Sequence, residues 1–381
     1  MKQPIDIIPP PASERAVLVG HAGRERDHIE RSLDELALLA DTAGARVADR
    51  IVQRRGTIHP ATFIGKGKVE EVKLRAEELE ADVAIFDDDL SPAQVRNLEK
   101  ALGVKVIDRS ELILDIFARR AQTRESRLQV ELAQLEYSLP RLTGMWKHLE
   151  RQTGGIGVRG PGETQLETDR RLVGERIAKL KRELSAVERE RETQRRKRRR
   201  EFRAALVGYT NAGKSTLFNA LTKSTVFVEN RLFATLDATT RQMVSPERTL
   251  ALLTDTVGFI RKLPHHLVAS FRSTLSEATE ADLLVQVVDA SDPDYRRQMQ
   301  AVDKVLDEIL TEPRPSLLVF NKADALNDPT IEAGLRVEFP GCKVISARTG
   351  EGLAELRAEI WRQSAERSAH KREAAIEGDP A

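Results

Sequence analysis

The first third of the chain alternates short apolar runs with longer stretches that mix apolar and charged residues at helical spacing. The apolar runs predict buried strands at three places: 16–19, 83–86 and 104–107. The mixed stretches predict helices between them: 31–40, 69–79 and 92–102, the last with Ser91 as its N-cap. This alternation predicts a small α/β domain with a mainly parallel sheet over residues 14–121, after a loose leader at residues 1–13.

The next region carries two apolar seams whose members are spaced alternately by four and three residues. The first seam consists of Leu128, Leu132, Leu135, Leu139, Leu142, Trp146 and Leu149. The second seam consists of Val173, Ile177, Leu180, Leu184 and Val187. Such seams predict an antiparallel helical hairpin over residues 122–201, with the first helix kinked at Pro140. The predicted tip of the hairpin, residues 151–163, reads RQTGGIGVRGPGE.

Strands and helices alternate again over residues 202–365, which predicts a doubly wound, mainly parallel sheet, and residues 366–381 are expected to form a flexible tail. The apolar strand 204–207 leads into GYTNAGKST, which matches the P-loop pattern G-x-x-x-x-G-K-[ST] in its strand–loop–helix setting. In such a loop, backbone N–H groups surround phosphate oxygens, Lys214 reaches the β- and γ-phosphates, and Ser215 binds Mg²⁺. The candidate ligands here are Gly208, Tyr209, Thr210, Asn211, Ala212, Gly213, Lys214, Ser215 and Thr216.

Two further motifs extend this candidate site to a guanine nucleotide. DTVG (Asp255, Thr256, Val257 and Gly258) follows the apolar strand 250–253. Its carboxylate can hold Mg²⁺ through water, and the Gly258 N–H can meet the γ-phosphate. NKAD follows strand 316–320, where Asp324 can accept two hydrogen bonds that guanine offers and adenine does not. In isolation, each motif can also be an Asx turn that only ends a strand.

The residues around Asp324 supply the remaining contacts that a guanine base needs. Asn321 should contact the base edge, and the aliphatic stem of Lys322 should pack along the ring. A segment that follows strand 343–345 can offer a backbone N–H to guanine O6, and it consists of Ser346, Ala347 and Arg348. The P-loop, DTVG, NKAD and this segment therefore predict a P-loop NTPase G domain.

Composition narrows the class of protein. The 381 residues include 61 Lys and Arg against 60 Asp and Glu, so the net charge of +1 gives no overall attraction to nucleic acid. Any affinity for RNA must come from local segregation of charge. The single cysteine, Cys342, excludes an intramolecular disulfide, and the longest uncharged apolar run, 283–288, is too short to span a bilayer. We therefore expect a cytoplasmic monomer without stable membrane insertion.

The order P-loop, FATLD, DTVG, NKAD and SAR resembles the translation-factor-related GTPases, and residues 14–365 resemble the HflX family within them. The most specific segment is GGIGVRGPGETQLETDRR at residues 154–171. The resemblance implies a GTP-hydrolysing factor that associates with the large (50S) ribosomal subunit and promotes ribosome dissociation and rescue, especially under stress. It marks Thr235 as the switch threonine on Mg²⁺, where spacing alone leaves Thr239 and Thr240 as rivals. Its other candidates in FATLD are Phe233, Ala234, Leu236 and Asp237.

Two positions of the G domain bear on how hydrolysis would proceed. Phe259 follows DTVG, where many signalling GTPases place a glutamine that orients the attacking water. Because a phenyl ring cannot polarise water, we expect slow unaided hydrolysis that the ribosome completes. Asn211 can help to hold a K⁺ ion, as in some related GTPases, or it can be only a turn residue.

The glycine-rich tip is a candidate contact with RNA. Its glycines permit close backbone approach to folded RNA and its arginines attract phosphates, although a merely flexible connection between helices fits the composition equally well. The resemblance favours contact with rRNA. The candidate residues are Arg151, Gly154, Gly155, Gly157, Arg159, Gly160 and Gly162. Two other functions remain open: a checkpoint GTPase of large-subunit assembly, and an ATP-dependent RNA-remodelling enzyme that acts through the N-terminal domain.

Overall fold

The computed structural model describes residues 13–23, 28–54, 56–144, 161–196, 201–222, 224, 231–245, 250–262 and 277–377. The chain divides into two compact units: residues 1–116 with 137–170, and residues 117–136 with 171–381. Within the described ranges, no helix is long and apolar enough to cross a membrane.

The first unit contains a four-stranded sheet in the order β2-β1-β3-β4, in which every pair of neighbours is parallel. Its elements are β1 (Arg15–His21), α1 (Ile29–Thr42), β2 (Arg46–Gln53), α2 (Lys66–Glu78), β3 (Val83–Phe86), α3 (Pro92–Leu102) and β4 (Lys105–Asp108). The predicted parallel α/β arrangement is confirmed. The sequence pattern does not predict β2, because this edge strand mixes charged and apolar residues and is mostly solvent-accessible along its first half.

Helix α3 begins and ends where its sequence predicts. The Ser91 hydroxyl accepts a hydrogen bond from the backbone N–H of Gln94, and the Gln94 side chain accepts one from the backbone N–H of Ser91. This capping box satisfies N–H groups that have no partner inside the helix, and Pro92 occupies the first turn, where its missing N–H costs nothing. The helix ends at Gly103, whose φ of 75° is left-handed.

Three helices contribute residues to both units: α4 (Arg109–Arg120), α5 (Arg124–Ser138) and α6 (Pro161–Arg196). The predicted seams pack together: Leu128, Leu132, Leu180 and Leu184 form one buried cluster, flanked by Leu135, Ile177 and Val187. The expectation that Pro140 only kinks the first helix is wrong. Helix α5 ends at Ser138, and a short 3-10 turn follows at Arg141–Gly144, because proline removes a hydrogen bond and clashes with the preceding turn. Trp146 and Leu149 lie outside the described residues.

The second unit contains a six-stranded sheet in the order β10-β9-β8-β5-β7-β6, in which β6 alone is antiparallel to its neighbour. Its elements are β5 (Phe202–Gly208), α7 (Lys214–Thr222), β6 (Thr239–Val244), β7 (Leu250–Asp255), β8 (Leu283–Asp289), α8 (Tyr295–Ile309), β9 (Ser316–Asn321), α9 (Pro329–Glu338), β10 (Lys343–Val344) and α10 (Leu353–Glu377). The predicted doubly wound, mainly parallel sheet is confirmed. Helix α10 continues to Glu377, so most of the segment expected to be a flexible tail is helical.

Candidate functional site

The P-loop connects the central strand β5 to helix α7, so its backbone lies at the carboxyl edge of the parallel sheet, where doubly wound folds bind ligands. Gly213 has a φ of 90°, and a Cβ at this position would overlap the side-chain nitrogen of Asn321. Only glycine therefore allows this turn to pass so close to Asn321, the first residue of NKAD, which we call the base-recognition motif.

Lys214 is buried in the loop and directs its ammonium at backbone oxygens. Its Nζ donates hydrogen bonds to the carbonyl oxygens of Gly208 (3.1 Å) and Tyr209 (2.8 Å). Burial lowers the pKa of Lys214 to about 8, and the nearby charge of Asp255 partly opposes that shift. An anion at this position would restore an ordinary environment for the cation, which is the electrostatic requirement of a phosphate site.

Three oxygen-bearing side chains from distant parts of the sequence meet beside the P-loop. Ser215 Oγ lies 2.7 Å from Thr235 Oγ1 and donates a hydrogen bond of 2.6 Å to Asp255 Oδ2. Thr235 Oγ1 also lies 3.3 Å from the same carboxylate oxygen. Thr240, a rival of Thr235 by spacing, instead bonds Thr254 between strands β6 and β7. The structure thus brings Thr235, and not Thr240, to the candidate metal ligands.

The donor set of this cluster fits a hard divalent cation. Two hydroxyls and a carboxylate are the ligand types that Mg²⁺ takes, usually together with waters and substrate phosphates. The second carboxylate oxygen, Asp255 Oδ1, is buried and has no hydrogen-bond partner among the described residues. Burial raises the pKa of Asp255, and hydrogen bonds from Ser215 and Thr235 oppose the shift. A bound cation with its waters would satisfy this oxygen and keep the carboxylate ionised.

Predicted residues from three motifs line one open cavity of about 430 Å³. The lining residues are Thr210, Asn211, Gly213, Lys214, Ser215, Thr216, Arg231, Phe233, Ala234, Thr235, Thr256 and Gly258. Gly258 crosses so close to the loop that a Cβ on it would lie 2.7 Å from the Cα of Thr210 and 3.1 Å from Lys214 Nζ. Sequence reasoning missed Arg231, whose only sequence signal is that it is the last cation before FATLD.

Several predicted site residues are buried beside the cavity and do not line it, among them Tyr209, Leu236, Val257 and Phe259. Phe259 is 1% exposed, and its backbone is fixed on the P-loop: its N–H donates to Gly208 O (3.1 Å), and its carbonyl oxygen accepts from Thr210 N–H (2.7 Å). The Tyr209 hydroxyl accepts a hydrogen bond from the N–H of Arg261 (2.8 Å), which fixes the same segment again. The position after DTVG is therefore part of the core.

Asn321 ties the base-recognition motif to the P-loop. Its Nδ2 donates to the carbonyl oxygen of Ala212 (2.9 Å), and its Oδ1 accepts from the N–H of Ala347 (2.9 Å). The side chain is 2% exposed, so its first role is to position two loops. The predicted contact with the base edge stays a prediction, because Nδ2 carries a second hydrogen. The predicted offer of the Ala347 N–H to guanine meets a competitor, since that group already bonds Asn321.

Asp324 lies where the sequence predicts, and its carboxylate already has partners. Asp324 Oδ1 accepts a hydrogen bond from Ser346 Oγ (2.6 Å), and Oδ2 pairs with Arg348 Nη2 (2.5 Å). The N–H of Ser346 donates to Glu351 O (3.0 Å), so it is engaged within the protein. Lys322 Nζ pairs with Asp289 Oδ2 at 2.6 Å, which holds the lysine stem beside the end of β8.

The RNA-contact candidates at the tip lie outside the described residues from Arg151 to Gly160, namely Arg151, Gly154, Gly155, Gly157, Arg159 and Gly160. Gly162 lies in the first turn of helix α6.

Comparisons with known proteins agree with this geometry. Three family models match successive parts of the chain: a GTP-binding GTPase N-terminal region at residues 30–118, a GTP-binding GTPase middle region at residues 120–198, and a 50S ribosome-binding GTPase at residues 203–322. The GTPase HflX of Lacrimispora saccharolytica is 52% identical over 346 residues, which cover 90% of this chain and 81% of the relative. The chain belongs to the HflX family of GTPases.

Two further comparisons agree with this assignment to a family of GTPases. The GTPase HflX of Escherichia coli is 48% identical over 349 residues, which cover 91% of this chain and 82% of the relative. The crystal structure of SsGBP in complex with GDP aligns with a TM-score of 0.52 and 26% identity, over 93% of this chain and 99% of that one. The HflX chain described here is therefore a GTPase, which binds guanine nucleotides and hydrolyses GTP to GDP and phosphate.

Proposed function

We propose that this HflX protein acts on the large (50S) ribosomal subunit and uses GTP to promote the dissociation and rescue of ribosomes, especially under stress. The observation that carries the proposal is the burial of Phe259. With this residue 1% exposed and its backbone fixed to Gly208 and Thr210, the position after DTVG cannot supply a group that orients water. We assign the missing group to a partner, and the family model over residues 203–322 carries the description of a 50S ribosome-binding GTPase.

The chain's own residues would divide the work on the nucleotide. The buried ammonium of Lys214 binds and orients the β- and γ-phosphates, and Asp324 selects guanine. Ser215 and Thr235, with Asp255 through water, would hold Mg²⁺, which when bound neutralises charge on the phosphate oxygens. Asn211 lines the cavity with a left-handed φ of 62°, so a turn role and a role beside K⁺ both fit it.

Turnover measurements test the central claim. GTP hydrolysis is measured at a fixed protein concentration with and without purified large subunits, and with small subunits as the matched control. We expect stimulation by about 10³-fold or more with large subunits only, because supplying missing transition-state groups has effects of this size. Equal rates with and without large subunits would contradict the proposal. Replacing K⁺ with Na⁺ in the same assay tests the role of Asn211.

Binding measurements test the nucleotide dependence. The protein should co-sediment with large subunits in the presence of a non-hydrolysable GTP analogue and not in the presence of GDP. Light scattering of intact ribosomes after addition of protein and GTP separates ribosome dissociation from a checkpoint role in assembly, because only dissociation lowers the signal. ATP turnover that survives an Asp324→Asn substitution would instead favour RNA remodelling through the N-terminal domain. We place this activity in the cytoplasm, with a monomeric protein and rRNA contact through the tip.

A further inference from the structure

The FATLD segment, residues 233–237, is bonded to the start of helix α5 within the second unit. Asp237 Oδ2 accepts hydrogen bonds from the backbone N–H groups of Gln122 (3.1 Å) and Thr123 (3.3 Å), and Oδ1 accepts one from Thr123 Oγ1 (2.6 Å). One carboxylate thus binds two consecutive residues that lie about 115 positions earlier in the chain. The contact uses the backbone N–H groups of both residues and the hydroxyl of Thr123.

Thr123 is at the same time the N-cap of helix α5. Its hydroxyl accepts a hydrogen bond from the N–H of Ser126 (3.1 Å), and its carbonyl oxygen accepts one from the N–H of Arg127 (3.1 Å). A carboxylate placed here also meets the partial positive charge of the helix N-terminus, which favours an anion. The first turn of α5 and the carboxylate of Asp237 therefore stabilise each other.

A ring contact fixes the other end of the same segment. Phe233 and Phe117 pack edge to face, with ring centroids 4.7 Å apart and an interplanar angle of 82°. Both rings are at most 2% exposed. The N–H of Phe233 donates to Thr210 Oγ1 in the P-loop (2.9 Å), and Phe233 has a left-handed φ of 54°, so this residue is held in a conformation that a free segment would leave.

Thr235 lies between these two anchors, and its hydroxyl is the atom that meets Ser215 and Asp255. We propose that Asp237 is a positioning residue of the GTPase: its bonds to the N-cap of α5 hold Thr235 in place for the GTP-bound state. In this proposal, Thr235 stays beside Ser215 only while Phe233 and Asp237, which lie on either side of it in the sequence, keep their contacts. The state of the nucleotide and the first turn of α5 are therefore coupled.

Coupling of this kind is reciprocal by thermodynamic linkage. If GTP favours the bonds between Asp237 and Thr123, then a partner that displaces the first turn of α5 must weaken GTP relative to GDP by the same factor. The inference rests on the GTPase activity and not on the identity of the partner. Its failure would leave the ribosomal proposal standing, and the reverse is also true.

A double-mutant cycle tests the coupling. The variants are Asp237→Ala, Thr123→Ala and the combination of both, with Thr123→Ser as the matched control that retains the hydroxyl. Affinities for GDP and for a non-hydrolysable GTP analogue are measured with Mg²⁺ present. We expect each alanine variant to weaken the analogue about five- to tenfold, within the usual range for coupled sites, and to leave GDP within about twofold. Unchanged GDP affinity also shows that each variant is folded.

The combined variant decides the result. Because Asp237→Ala removes all three hydrogen bonds, including the one that Thr123→Ala removes, we expect the double variant to bind the analogue no more weakly than Asp237→Ala alone, and Thr123→Ser to behave as the unaltered protein. Equal weakening of GDP and analogue, or effects that multiply in the double variant, would overturn the inference. Hydrogen exchange gives an independent readout: the amides of Gln122 and Thr123 should exchange more slowly with the analogue than with GDP, and equal rates would also overturn it.

Discussion

We expect single side chains at opposite ends of the candidate nucleotide site to control different properties of binding. At the base end, the two oxygens of Asp324 accept hydrogen bonds from Ser346 and Arg348, which is the chemistry that the N1–H and amino group of guanine also offer. At the phosphate end, Lys214 keeps its ammonium among backbone oxygens. We therefore expect base identity to depend on Asp324 and the response to pH to depend on Lys214.

Asp324→Asn should exchange one base preference for another. The amide oxygen of asparagine can still accept a hydrogen bond from N1–H of guanine, but its NH₂ group faces the amino group of guanine, which is also a donor. We therefore expect GTP to bind at least about a hundredfold more weakly. Xanthine has a carbonyl oxygen in place of that amino group, so we expect XTP to bind better. Competition titrations against a fluorescent nucleotide measure both affinities. Asp328→Asn is the matched control, since Asp328 caps helix α9 through the Thr330 N–H and should leave both affinities unchanged. Retained GTP affinity in Asp324→Asn would contradict the assignment.

Lys214 makes GTP binding dependent on pH. Because burial lowers the pKa of Lys214 to about 8, the empty site loses this cation as the pH rises through 8, whereas bound phosphates would retain the proton. We expect GTP affinity to be about fivefold weaker at pH 9 than at pH 8, with uptake of about 0.8 proton per GTP at pH 8.5. Calorimetry in buffers of different ionisation enthalpy measures both quantities. Constant affinity over this range would show that the ammonium is not perturbed.

The same lowered pKa has the opposite effect on the stability of the nucleotide-free protein. Between about pH 8 and the ordinary pKa of lysine, the unfolded chain binds a proton at residue 214 that the folded chain does not. The contribution of this residue to the free energy of unfolding therefore rises with pH in that window. We therefore expect GTP affinity to fall over the same pH range in which Lys214 contributes more to the free energy of unfolding.

At the scale of elements, the apolar seam between α5 and α6 should account for much of the stability of this helix pair. Leu180 is fully buried in the seam, whereas Leu172 on the same helix is 52% exposed. We expect Leu180→Ala to lower the free energy of unfolding by about 2–5 kcal/mol, because it removes buried methyl groups and leaves a cavity. Leu172→Ala, the matched control, should change it by less than about 0.5 kcal/mol. Urea unfolding followed by circular dichroism measures both, and equal effects would contradict the packing.

Elements are predictable from sequence where the signal is local. The bounds of α3 follow from Ser91, Gln94 and Gly103. Ser91 and Gln94 bond backbone N–H groups at the start of the helix, and Gly103 ends it in a left-handed conformation, so neither end depends on the rest of the fold. Strand β2 is not predictable in this way, since its pairing with β1 and not its own pattern makes it a strand. The effect of Pro140 is intermediate: a break is predictable, but whether the helix bends or ends depends on its surroundings.

At the scale of the whole molecule, the proposal that a partner completes the catalytic site implies that no change at position 259 should complete it. The side chain of Phe259 lies in the core, so a glutamine there would be buried without reaching the nucleotide. We expect Phe259→Gln to leave the single-turnover rate of GTP hydrolysis within about twofold. The urea midpoint should fall, since a polar group replaces a packed ring. A tenfold acceleration of hydrolysis would show that the side chain can enter the site.

The motifs of the candidate site could be predicted from the sequence, but the way in which they meet in space could not. P-loop, DTVG and NKAD each carry their chemistry in a few consecutive residues, so the sequence alone indicates the nucleotide. The choice of Thr235 over Thr240 needs the meeting of three segments, and the double role of Asn321 needs two loops to approach each other. The position of Arg231 before FATLD is a weak signal, and the hydrogen bond that Thr123 donates to Asp237 has no sequence signature, because each depends on where the chain returns in space.

The ion pair between Arg348 and Asp324 has a consequence for turnover. Asp324 is only 13% exposed, so without guanine its charge would be poorly solvated, whereas the Arg348 side chain is 77% exposed and can swing in to neutralise it. Because the guanidinium of Arg348 is largely exposed and screened by water, this ion pair holds the carboxylate less firmly than a fully buried pair would. We therefore expect Arg348 to return to the carboxylate of Asp324 when the base leaves, and an incoming guanine to compete with it for that carboxylate.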